Sequence, residues 1–107
     1  MNVIDRIEQA PACEVINLTE AEKDIYTGAG WKLAWFKEGS LVELFDPTEM
    51  ASADEALAHV MDWMAFGDGE FWLVMYSCYQ LCEPIPVTLN DATAIARMAR
   101  MFGELFS

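Results

Sequence analysis

The chain has 107 residues, 54% of them hydrophobic, which suits one domain with a core of its own and is too little for two of ordinary size. Eighteen Asp and Glu stand against six Lys and Arg, a formal net charge of -12. A field of that sign repels phosphate and anionic lipid headgroups, which excludes direct nucleic-acid binding and a membrane-surface role, and the apolar content excludes an intrinsically disordered chain.

Met1 to Glu8 carries charges where a signal peptide needs an unbroken apolar stretch, and no run approaches the roughly 18 apolar residues of a membrane span. The expectation is a cytoplasmic protein. Cys13, Cys78 and Cys82 are an odd number, unsuited to a disulfide framework. Cys78 and Cys82 lack the two further ligands of a structural zinc site, since the chain has a single His, so neither metal nor cofactor is expected.

Val3, Ile4 and Ile7 at helical spacing predict a short amphipathic helix stopped by Pro11. Cys13 to Leu18 reads as a short strand, and Thr19-Glu20-Ala21-Glu22 as a capping box opening one or two turns that end before Gly28. From Trp31 the period changes. Trp31, Leu33 and Trp35 alternate with Lys32, Ala34 and Phe36, and a turn at Lys37 to Ser40 leads into Leu41 to Phe45, which predicts a hairpin.

Asp46-Pro47 breaks the pattern, and Ser52 to Glu55 forms a second capping box. It predicts a helix from about Ala53 to Phe66, closed by Gly67, with Leu57, Val60, Met61 and Met64 beside Ala53 on its core face. Phe71 to Cys78, apolar on both faces, reads as a central strand, and Glu83 to Pro86 as an extended segment. A last helix is predicted from near Thr88, with Ile95, Met98, Ala99, Phe102, Leu105 and Phe106 apolar and Arg97, Arg100 and Glu104 wet. The fold class is therefore α+β: one domain over 1–107, a small antiparallel or mixed sheet of about three strands packed on two or three helices.

Residues for chemistry are scarce. Gly28-Ala29-Gly30 lacks a third glycine and reads as a turn. His59 shares a helical face with Glu55 and Asp62, a spacing that could ligate a metal, but there is no second His, and the face reads as a solvated acidic one. Glu43, Asp46, Asp68 and Glu70 could supply a carboxylate pair, although nothing in the sequence fixes their separation. No serine lies in a nucleophile elbow, so no catalytic residue is assigned and the expectation is a protein that is not an enzyme.

The distribution of charge is more informative. Between Lys37 and Arg97 there are eleven acids and no Lys or Arg, while the remainder carries seven acids against six Lys and Arg. On the helix ending at Phe66, that residue projects away from Leu57 among Glu55, His59 and Asp62, with Trp63 on the flank. Large rigid rings beside an acidic rim suit a protein interface, because rings bury much area at little entropic cost and opposite fields speed encounter. The expected interface is Glu55, His59, Asp62, Trp63, Phe66, Asp68 and Glu70, and the expected partner a larger basic protein such as a DNA- or RNA-binding regulator or a nuclease, which the chain would mask. That general character resembles bacterial antiactivators and phage-encoded inhibitors, with no motif of either matched. Two other classes stay open: a small-ligand domain with an aromatic pocket, and a carboxylate-dependent enzyme. Met98, Met101 and Leu105, on the flanks of the last helix, predict a homodimer.

Overall fold

The computed structural model describes residues 15–25 and 28–107; the predicted helix of Val3, Ile4 and Ile7 lies outside them. The strands are β1 (Val15–Asn17), β2 (Gly30–Lys37), β3 (Ser40–Phe45), β4 (Glu70–Ser77) and β5 (Gln80–Val87), and the helices are α1 (Ala53–Phe66) and α2 (Ala92–Leu105). They form an α+β fold with one antiparallel sheet in the order β1-β5-β4-β2-β3. Five strands replace the expected three, because the proline-rich segment after Gln80 is paired and the residues before Leu18 supply another. The run Phe71 to Ser77 is in the middle of the sheet, which accounts for its being apolar on both faces.

Two bulges decide which residues face which way. Trp35 pairs with Glu43 and Phe36 with Leu41, leaving Val42 as an extra residue on β3. Leu73 pairs with Ile85 and Met75 with Cys82, so Glu83 and Pro84 together oppose Val74. An extra residue turns the following side chains to the other face. Leu41 and Leu81 accordingly join one face of the sheet, while Phe45 and Val87 join the other. A bulge is also where a strand tolerates a residue with no N–H, and Pro84 stands in this one.

Both helices cover the same face, over Leu33, Phe45, Phe71, Leu73 and Val87. From α1 the buried residues are Ala56, Val60 and Met64, with Leu57 and Met61 half-buried beside them; α2 contributes Ala94, Met98 and Phe102. The predicted bounds of α1 hold: the Ser52 hydroxyl accepts from the Glu55 N–H, the Glu55 carboxylate accepts from the Ala51 N–H, and the Gly67 N–H closes onto the Trp63 carbonyl. The last helix starts later than expected. Thr88 to Asn90 form a turn, and Asp91 is the cap, accepting from the Ala94 N–H.

The opposite face is also apolar and buried, with Ala34, Phe36, Trp72, Val74, Tyr76 and Leu81 at its centre and Leu18 and Ile25 packed against it. Leu18 immediately precedes the predicted capping box, which is formed reciprocally. The Thr19 N–H donates to Glu22 Oε1 at 2.8 Å and the Glu22 N–H to Thr19 Oγ1 at 3.3 Å, opening a single 3-10 turn over Glu22–Ile25.

Candidate functional site

Trp35 stands on the helix-covered face of β2 between Phe71 of β4 and Trp63 of α1. Its ring is stacked on Phe71 with centroids 6.2 Å apart and meets Trp63 edge to face at 5.7 Å. Trp63 also contacts Phe71 at 5.3 Å and Phe45 at 5.9 Å, and Phe45 stacks on His59 at 4.8 Å. The rings thus form one continuous pile wedged between α1 and the β2–β3 side of the sheet. Edge-to-face and offset-stacked arrangements of this kind add to the stability that area burial supplies.

At the outer end of the pile is a shallow groove of about 390 Å³ lined by Trp35, His59, Asp62, Trp63, Phe66 and Gly67. Phe66, the last residue of α1, is 89% exposed beside it. The loop after α1 holds the groove's shape. The Trp35 Nε1–H donates to the Asp68 carbonyl, which fixes the indole against the loop. At Gly69 φ is +118°, and a side chain there would collide with the Phe36 carbonyl oxygen and meet Trp35 Nε1 at 3.0 Å. Only glycine lets the loop pass this close to β2.

Four of the predicted interface residues, His59, Asp62, Trp63 and Phe66, meet in this groove. The other three are placed differently. Glu55 is occupied at the start of α1 with the Ala51 N–H, and the Asp68 carboxylate, exposed, lies 3.5 Å from Lys37. Glu70 lines a separate cleft of about 280 Å³ at the other side of the loop, with Met64, Phe71, Trp72, Val87 and Leu89. Trp35 and Gly67 were not expected in the site. Alternation placed Trp35 in the first strand of the predicted hairpin and gave it no role in the site, and its edge is left open where α1 ends at Phe66, a boundary visible in the sequence only as Gly67.

Met98, expected on a flank of the last helix, is instead fully buried, because it stands one turn from both Ala94 and Phe102 at the centre of the face that α2 turns to the core. Met101 and Leu105 are half-buried against the same core. Among the described residues no three of His, Cys, Asp and Glu come together as a metal site, and no helix is long and apolar enough to cross a membrane. Glu43 and Asp46 belong to different surroundings. Glu43 is exposed on the edge strand, whereas Asp46 is paired with buried Lys32 at 2.8 Å on the sheet's second face.

The groove offers chemistry for recognition. Among the described residues its lining is mostly aromatic, with Asp62 as the carboxylate and no Lys or Arg. The indole N–H of Trp35 is already committed to the loop carbonyl, so that donor is spent internally. Compared with protein-family models, with curated proteins and with solved structures, the chain matches none of them.

Proposed function

We propose that this protein is a non-enzymatic regulatory module that binds and masks a larger, basic protein, one that handles nucleic acid such as a transcription regulator or a defence nuclease. The observation that supports it most is Phe66, 89% exposed at a groove walled by two tryptophans. A lone exposed Phe needs no explanation, but one beside an open aromatic groove has the form of an interface anchor. The acidic side chains around it, in a stretch of chain without Lys or Arg, support a partner of basic charge. The protein acts in the cytoplasm on this reading, needs no cofactor, and does not touch nucleic acid itself. Self-association as a twofold dimer falls, on this reading, to the half-buried Met101 and Leu105 of α2.

The test is capture from the native host with the full chain as bait, beside a Phe66→Ser variant whose near-ultraviolet circular dichroism matches the parent. A basic protein retained by the parent and lost by the variant is the expected result. Equal retention removes the groove from the interface. The second reading, a small-ligand domain, rests on the 280 Å³ cleft, where Glu70 and Thr88 are the polar groups among apolar walls. It predicts a rise in melting temperature with small molecules in the absence of any protein partner.

A further inference from the structure

We propose that the groove anchors its partner through an arginine side chain, its guanidinium lying in the corner made by Trp35 and Trp63 and paired with the carboxylate of Asp62. The inference rests on reading the groove as a protein-binding surface. The two indoles meet edge to face, 78° apart, so they make a corner at nearly a right angle, with Phe71 behind Trp35 and the exposed Phe66 at the groove's rim. Cations are drawn to the negative face of an aromatic ring, most strongly to tryptophan.

Among cations the shape selects one. A quaternary ammonium group is held by a cage of rings around it, whereas this groove is an open corner. An ammonium has no plane to lay on an indole and makes no parallel pair of bonds to a carboxylate; a guanidinium does both. Asp62 supplies that carboxylate, exposed, lining the groove and without an ion pair among the described residues. Lys37, the base nearest the loop, lies against Asp68, and His59 stacks on Phe45, so neither neutralises Asp62 through a described contact.

The experiment uses the full chain labelled with nitrogen-15 and titrated with the peptide acetyl-Leu-Arg-Gly-amide at millimolar concentrations. Peptides with lysine, citrulline or trimethyl-lysine in place of arginine are run in parallel. The expected result is a saturable shift of the Trp63 indole resonance with arginine, while that of Trp72, buried on the other face of the sheet, stays in place. Affinity should fall about tenfold or more with citrulline and with Asp62→Asn, a loss of at least about 1.4 kcal/mol, and be unchanged by Asp54→Asn on the first turn of the same helix.

Absence of any shift, or lysine or citrulline matching arginine, overturns the proposal. Trimethyl-lysine binding more tightly makes the corner a quaternary-ammonium site, and shifts that appear on concentrating the protein alone make it a surface for a second copy; both overturn it too. A captured partner that depends on Phe66 but on none of its own arginines defeats the arginine anchor and leaves the masking module standing. Capture independent of Phe66 removes the groove from the interface and the arginine anchor with it, and failure to capture any basic protein defeats the masking module.

Discussion

Lys32 and Asp46 meet at 2.8 Å on the second face of the sheet, with the lysine side chain 3% exposed and that of the aspartate 12%. Burial by itself would push the Asp46 carboxyl up. The hydrogen bond from the Lys32 ammonium, with those from the hydroxyl and backbone N–H of Thr48, outweighs it and holds the group below its ordinary value. A buried pair of this kind is costly to break from one side and nearly neutral to replace whole. Asp46→Asn, which keeps an acceptor for Thr48, should therefore destabilise by about 3 kcal/mol in urea denaturation at neutral pH, and adding Lys32→Met should bring stability back to within about 1 kcal/mol of the parent. The sign of the pH dependence follows from the lowered value. Asp46 contributes its stability above the ordinary 3.8 and loses it as pH falls through the folded value beneath, so the effect of Asp46→Asn should shrink in that acid range.

Gly69→Ala tests the loop that shapes the groove. The added carbon collides with the Phe36 carbonyl oxygen at a φ of +118°, so either the loop or β2 must move. A loss of about 2 kcal/mol or more is expected, together with a change in Trp35 fluorescence as its bond to the Asp68 carbonyl is disturbed. Unchanged melting and emission would show that the loop is not held by this contact.

The two sides of α2 should answer differently to truncation. Met98 is fully buried, and Met98→Ala should cost about 2–5 kcal/mol through lost transfer energy and the cavity left behind. Arg100, exposed on the other side, should cost about 0.5 kcal/mol or less when changed to Ala. Urea midpoints of the two variants decide the matter.

Rates separate steering from anchoring. With a basic partner in hand, Asp62→Lys and Asp68→Lys should slow association, and added salt should do the same to the parent, since screening cuts the field to about 8 Å at physiological ionic strength. Phe66→Ala and Trp63→Ala should chiefly hasten dissociation, because an anchor acts after docking. Surface plasmon resonance resolves the two, and an association rate indifferent to salt would leave a purely apolar interface.

How much of this was legible in the chain depended on whether a local rule was obeyed. Helix α1 has a capping box at its start and a glycine at its end, and its bounds were readable to the residue. The hairpin of β2 and β3 was readable from alternation up to Trp35, after which the bulge at Val42 puts Leu41 and Phe45 on opposite faces although both are odd-numbered. β5 went unread for the same reason: its two prolines suppress the strand signal, and the bulge at Glu83–Pro84 breaks the period. In the site, the four groove residues contributed by α1 and its helical spacing were foreseeable. Trp35 comes from a strand 28 residues earlier than Trp63 in the chain, and only the packing of helix on sheet brings the two rings together.

The two hairpin turns carry unequal information about the order in which the molecule is assembled. Between β2 and β3 the two positive-φ positions are Glu38 and Gly39, and the glycine takes one of them without strain. Between β4 and β5 they are Cys78 and Tyr79, at 49° and 64°, a conformation that costs a side-chain-bearing residue about 1–2 kcal/mol. The first hairpin can close on its own sequence, as a local event early in folding. The second is opposed by its own turn and holds only once β4 is paired to β2 and the Leu18 N–H has bonded the Tyr79 carbonyl. Folding should thus begin at the β2–β3 corner, where the walls of the groove later rise, and finish at the far edge of the sheet, with the tip around Cys78 the last part to form and the first to open.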